Sequence, residues 1–321
     1  MEHKLRVSSS PHIHAKESVS GIMTDVIIAL LPAAFMGVYY FGINALLVIL
    51  TAITSCMLFE YFYEKAMKKR VTVGDMSAVV TGLLIGLNMP PAVPLWMVVV
   101  GSGFAIIIVK QLYGGLGKNF LNPALAARCF MIVAWADVMS SGFREPMVNA
   151  ISGATPLAIL NGTSEGAFPK VIETFLGTTA GSIGETSALA LLIGGGYLLV
   201  RRVISVRIPV IFIGVFVVLT ALFGKNPLGL ETLDYTLLHM FSGGLMLAAI
   251  FMATDYTTTP TTKKGQIIFA FGCGLMTFLV RNFGGYPEGV SFAILLMNIL
   301  TPLIDKFTMP KKFGAVKKAK N

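Results

Sequence analysis

Charge is scarce in this sequence. Of 321 residues only 13% are Asp, Glu, Lys or Arg while 55% are hydrophobic, too few charged side chains to clothe a water-soluble domain of this size. Cysteine is scarcer: Cys56, Cys129 and Cys273 stand far apart with no Cys-x-x-Cys pair, which excludes a four-thiolate iron–sulfur cluster held by this chain alone and leaves packing as their role. Three of the four histidines fall in the polar leader and only His239 in an apolar stretch, so a bis-histidine haem is excluded and a packed core histidine is expected. No Gly-x-Gly-x-x-Gly follows a strand-like run, which removes a Rossmann nucleotide site. No small-residue cleavage site follows a short apolar region, so no removable signal peptide is expected, and no cluster suggests a metal.

Long apolar runs take up the rest. A bilayer core of about 30 Å takes about 20 helical residues per crossing, and continuous apolar runs exclude the alternating pattern of a barrel. The expected fold class is therefore an all-α polytopic membrane protein with about ten transmembrane helices. They are expected at Ile22–Tyr40, Ile43–Tyr63, Met76–Met89, Leu95–Leu112, Phe120–Met139, Ser187–Val200, Ile208–Phe223, Leu237–Thr254, Gln266–Val280 and Val290–Ile304. These define a leader (1–21), a first five-helix half (22–139), a polar connection (140–186), a second five-helix half (187–305) and a basic tail (306–321), the arrangement of a five-plus-five inverted repeat.

The net charge of +9 reads as topology, not as nucleic-acid binding. Lys4, Arg6, Lys16, the Lys65–Arg70 cluster, Lys118, Arg201, Arg202, Arg207, Lys263, Lys264 and the tail all fall on one side of ten crossings. The other side has Arg144, Lys170, Lys225 and Arg281 beside six glutamates, Glu185 and Glu288 among them. The positive-inside rule then places both termini in the cytoplasm and the 140–186 connection outside it.

Ionisable groups at membrane depth default to functional candidates, here Asp25, Asp75, Lys110, Arg128, Asp137, Asp255 and Asp305, with interfacial snorkelling as the alternative for those near span ends. Two Gly/Pro/Asn-interrupted segments, Gly114–Ala124 and Thr254–Thr262, are expected in corresponding positions of the two halves, where breaks line a site. Asn119, Asn122, Asp255 and Thr257 could meet there and present carbonyls and amides to a ligand or an ion. Gly82/Gly86 and Gly194–Gly196 have the spacing of close helix packing. Asn161-Gly-Thr163 matches a glycosylation acceptor, a match too short to weigh.

Within the outer connection, Ser152-Gly-Ala-Thr155-Pro156 surrounds one threonine with small residues that leave its hydroxyl accessible, and Pro156 suits presentation as an extended strip. No base-activated nucleophile of the Ser-His type lies near it, so Thr155 reads as an acceptor, not a catalyst. The motif resembles the site at which a flavin transferase links FMN through its phosphate to threonine. Ser10-Pro-His-Ile-His14, Ile22-Met-Thr-Asp-Val-Ile-Ile-Ala-Leu-Leu-Pro32, Gly117-Lys-Asn-Phe-Leu-Asn-Pro-Ala124 and Thr254-Asp-Tyr-Thr-Thr-Thr-Pro260 together resemble the RnfD family, the D subunits of Rnf complexes, over essentially the whole chain. The homologous NqrB proteins of the sodium-pumping NADH:quinone reductase carry a longer N-terminal region.

The resemblance implies a multi-pass subunit of the bacterial inner membrane, in a complex passing electrons between ferredoxin and NAD⁺ coupled to Na⁺ or H⁺ movement. Covalent FMN at Thr155, framed by Ser152, Gly153, Ala154 and Pro156, would serve as a relay, with a non-covalent riboflavin as a further implied cofactor. The other Rnf subunits (A, B, C, E and G), a flavin transferase during maturation, and membrane lipid are the implied partners, and the chain alone is not expected to be catalytic. A small-solute channel or carrier and a purely structural scaffold are the readings of other classes.

Overall fold

The computed structural model describes residues 18–147, 154–162, 169–226, 229–284 and 288–310. Ser152 and Gly153 of the expected acceptor motif, and most of the leader and tail, lie outside the described residues. Within the described residues every regular element is helical. Helix α1 (Val19–Phe41) opens on Ser18, whose Oγ accepts from the Gly21 amide at 3.1 Å, and closes at Gly42, whose φ of 71° lies where glycine alone is unstrained. Helix α2 (Ile43–Ala66) returns from it.

These two, with α13 (Lys263–Phe283) and α14 (Val290–Thr308), are long and apolar enough to cross a membrane. A fifth candidate is bent: α11 (Thr232–Phe241) meets the segment Leu245–Met252 at 63° across a short break, the shape of a broken span or a re-entrant loop. Its second part begins as α12 (Leu245–Leu247) and continues in π-helical turns over Ala248–Met252. The other five expected spans are also helical but shorter: α3 (Ser77–Leu87), α4 (Leu95–Gly103, continuing as π-helix to Gln111), α5 (Pro123–Ala134), α9 (Ala188–Val200) and α10 (Arg207–Phe223).

The shortening has local causes. The expected Phe120–Met139 helix starts only at Pro123, which fits the first helical position but no interior one, and Asn122 caps it by accepting from Ala124 N and Leu125 N. It breaks at Trp135 and resumes as the short α6 (Ala136–Ser141). The eleven residues of α3 extend about 16 Å, roughly half a hydrocarbon core, before Asn88 and the prolines at 90, 91 and 94 end it. Two small helices, α7 (Pro156–Leu160) and α8 (Val171–Leu176), complete the connection.

Glycine sets the helix contacts. A Cβ at Gly82 would stand 2.6 Å from Ile53 Cα, and one at Gly194 would stand 1.9 Å from the Ala29 carbonyl oxygen, so α3 packs backbone-close on α2 and α9 on α1. The α1–α9 contact joins the two halves, and α14 against α5 joins them again. Cys56, Cys129 and Cys273 are buried and unbridged.

One expectation is corrected. The segments 114–124 and 254–262 do not occupy corresponding places: the first lies between the fourth and fifth helices of its half, whereas the second follows the third. By element order the partner of 253–262 is the proline-rich stretch 88–94 after α3.

Candidate functional site

Two cavities are lined by several of the buried polar groups. The larger, about 750 Å³, is lined by Asn119, Asn122, Asp255 and Thr257, together with Ser77, Lys110 and apolar side chains of α1, α3 and α9. The four residues singled out in the sequence thus share one cavity wall. Asn119 Nδ2 donates to Thr257 Oγ1 at 3.1 Å and ties the two breaks together, while its Oδ1 is buried with no partner among the described residues. Asn122 Nδ2 donates to the Met252 carbonyl at 3.3 Å, at the open end of the π-helical turns. Asp255 is committed locally: its carboxylate accepts from Thr257 N, Thr257 Oγ1 and Thr258 Oγ1, a side-chain-stabilised turn.

At the cavity edge Lys110 Nζ meets Glu60 Oε1 at 2.7 Å and Ser77 Oγ at 2.6 Å, and Gln111 Nε2 donates to Glu60 and Glu64. Lys110 and Glu60 are 2% and 0% exposed, so Lys110 does not snorkel. The wider turn of the π-helix brings adjacent Lys110 and Gln111 both onto Glu60. Sequence reasoning passed over Glu60 and Glu64. The signal was present: two carboxylates four residues apart, hence on one helix face, in an otherwise apolar span.

The second site surrounds Thr155. Thr155 is not on an extended strip: it is the N-cap of α7, its Oγ1 accepting from Ala158 N at 3.3 Å, with Pro156 starting the helix and Leu157 and Leu160 buried beneath. Pro156 therefore acts as a helix starter. The hydroxyl is half-buried at a pocket of about 310 Å³ whose other walls include Phe241, Ser242, Gly243, Glu185 and Glu288.

Below that pocket lies Arg128, 3% exposed. Its guanidinium donates to Asn88 Oδ1 and Glu185 Oε1, each at 2.5 Å, and to Glu288 Oε2. Glu185 and Glu288, which charge counting along the sequence places among the outer solvent-facing residues, are partners of a buried cation. Burial raises the Glu185 carboxyl above the ordinary carboxylate range, Arg128 opposes that shift and Glu288 adds to it. Arg281, also counted as an outer charge, is 2% exposed and donates to the carbonyls of His239 and Ser242. His239 is packed against the Tyr235 ring at 4.5 Å. Asp25 lies at the junction of the halves, accepting from Tyr197 of α9 and from Arg201 just past its end.

Residues 6–314 match the model of the NQR2, RnfD, RnfE family. The chain belongs to that family. Curated relatives of this NQR2/RnfD/RnfE member run its full length. It is 49% identical to the D subunit of the Na(+)-translocating ferredoxin:NAD(+) oxidoreductase complex of Acetobacterium woodii, over 98% of this chain and 97% of that protein. It is 49% identical to the D subunit of the proton-translocating ferredoxin:NAD(+) oxidoreductase complex of Clostridium ljungdahlii, over 96% of each. With the D subunit of the ion-translocating oxidoreductase complex of Escherichia coli it shares 37% identity over 96% of this chain and 98% of the other.

Proposed function

We propose that the chain is the D subunit of an ion-translocating ferredoxin:NAD⁺ oxidoreductase complex, carrying FMN esterified to Thr155 as one station of its electron path. The observation that carries this reading is the full-length 49% identity to two D subunits in a chain that presents the threonine of a Ser-Gly-Ala-Thr motif, hydroxyl half-exposed, at a pocket mouth. The residues there fit such a group: Phe241 offers a flat apolar wall and Ser242 a buried hydroxyl with no partner among the described residues. The flavin would supply one- and two-electron chemistry that the protein's side chains lack. Thr155 would fix its position through a bond, Pro156 and Leu157 would anchor that bond to the bundle, and Arg128 would keep the neighbouring carboxylates from acting as two uncompensated charges.

The cavity at Asn119, Asn122, Asp255 and Thr257 is the proposed seat of a second, non-covalent flavin such as riboflavin; the free Asn119 Oδ1 would accept from a ring N–H. Ten crossings in two inverted halves, both termini in the cytoplasm of a bacterial cell and Thr155 outside the inner membrane complete the reading, with the other Rnf subunits and a flavin transferase as partners. With neither an iron–sulfur ligand set nor a nucleotide-binding domain legible in its sequence, the subunit would relay electrons while other subunits oxidise ferredoxin and reduce NAD⁺.

Co-expression with a flavin transferase followed by denaturing electrophoresis tests the assignment. A fluorescent band that disappears in Thr155→Ala is expected; a dark wild-type band from an active, assembled complex overturns it.

A further inference from the structure

Between α9 and α10 the described residues leave a groove open. It encloses about 870 Å³, and no residue lining it is polar. Gly195, Pro209 and Ile250 are buried along its floor, while Leu199, Val206 and Val210 stand exposed at its rim. Two glycines keep it open. A Cβ at Gly195 would stand 2.8 Å from Ile250 Cγ2, so packing within the chain accounts for that residue. A Cβ at Gly196, or at Gly214 across the groove, would meet nothing within 4 Å. Glycine inside a helix is less stable than alanine, and at these two positions no contact inside the chain offsets that cost. The space they leave fits something from outside.

Charge at one end selects what that is. The turn joining α9 to α10 supplies Ile204 and Val206 to the groove and has three arginines: Arg201, Arg202 and, as the first residue of α10, Arg207. Asp25 neutralises Arg201 at 3.1 Å. Arg202 and Arg207 are exposed and have no carboxylate partner among the described residues; Arg207 donates only to Ser205 Oγ, at 3.4 Å. Arg202 sits at φ 57°, a left-handed conformation that glycine adopts without strain and arginine does not. The turn thus keeps a cation where backbone geometry favours glycine. An apolar groove ending at two uncompensated guanidinium groups complements an amphiphile with a long apolar chain and an anionic phosphate, whose oxygens a guanidinium binds in pairs. The proposed orientation puts this turn at the cytoplasmic leaflet, where anionic lipids are abundant and basic pockets between helices hold their head groups.

We propose that the groove between α9 and α10 binds an anionic phospholipid, one acyl chain lying over Gly196 and Gly214 and the phosphate held by Arg202 and Arg207. The inference rests on α9 and α10 crossing the membrane and is independent of any flavin at Thr155.

The test titrates the purified, delipidated full-length chain in a non-ionic detergent with phosphatidylglycerol, phosphatidylethanolamine or glycerol phosphate while its unfolding temperature is followed. Phosphatidylglycerol is expected to raise it saturably, phosphatidylethanolamine to need at least about tenfold more lipid, and glycerol phosphate to do nothing. Gly196→Leu fills the groove from a position where a Cβ meets no other atom, so the lipid-free unfolding temperature should hold while the response to both lipids is lost. The double change Arg202→Gln/Arg207→Gln should bring phosphatidylglycerol to the phosphatidylethanolamine midpoint; it carries the test if Gly196→Leu does not fold. Lys65→Gln/Lys68→Gln, in the other basic cluster, should leave the midpoint in place. Equal midpoints for the two lipids, a response to glycerol phosphate alone, a response retained in Gly196→Leu, or one lost as fully in the lysine pair would each overturn the proposal. So would native mass spectrometry of the assembled complex showing no retained anionic lipid, since a partner's helix would then cover the groove.

Discussion

At the scale of single residues, buried charge organises this protein. Arg128 holds two carboxylates and an amide. Arg128→Leu should therefore leave Glu185 and Glu288 facing each other uncompensated, at a cost of about 3–5 kcal/mol. Thermal unfolding in detergent checks this: a loss of several degrees or failure to accumulate in membranes is expected, with partial recovery when Glu185→Gln is added. The Lys110–Glu60 pair obeys the same logic. Either single change to Met should destabilise strongly, and the double change should be milder than the sum of the two; additivity would mean that the pair does not interact. Lys110 and Arg128 stand out in the sequence as cations inside apolar runs, and Glu60 as a carboxylate in one, but the partners of Arg128 do not. Glu185 and Glu288 are indistinguishable from solvent-facing loop acids until two separate links, before α9 and before α14, bring them to Arg128 of α5.

At the scale of elements, the contrast between neighbouring glycines is sharp. A Cβ at Gly194 would collide with the Ala29 carbonyl, whereas one at Gly196 would meet nothing within 4 Å. Gly194→Ala should separate α1 from α9 and cost about 1–3 kcal/mol, while Gly196→Ala should be neutral or gain up to about 1 kcal/mol of helix propensity. Paired melting curves decide it, and equal effects would mean that α9 faces the other way. Asn122→Ala removes the cap of α5 and the tie to Met252 together, so it should cost more than the roughly 1 kcal/mol of a cap alone. The Gly-x-x-x-Gly spacing and the Asn-Pro start were legible because each is a local rule. Shortened α3 and bent α11–α12 were not, because hydropathy averages over a window and smooths across a break.

At the scale of the whole molecule, the distribution of positive charge predicts which ends face which compartment. Single cysteines replacing Lys68 and Lys170, in a background with the three native cysteines changed to alanine, should be labelled by an impermeant maleimide from opposite sides of inverted and right-side-out vesicles. Labelling of both from the same side would refute the proposed orientation. The two halves meet through α1 on α9 and α14 on α5, and the cavity at Asn119 and Asp255 is lined by segments of both, so neither half can assemble that site alone.

Composition and hydropathy by themselves determined that this chain is helical and belongs in a membrane, since backbone groups in hydrocarbon have no partners but one another. Local motifs marked the breaks and, through the family resemblance, singled out Thr155 as the proposed acceptor. Tertiary structure alone decided that Thr155 caps a helix at the mouth of a pocket, that two distant breaks touch through Asn119 and Thr257, and that loop glutamates become the counter-ions of Arg128. The reason is physical: helix formation and membrane insertion depend on neighbours along the chain, whereas the pairing of a buried charge depends on whichever distant segment comes to lie against it.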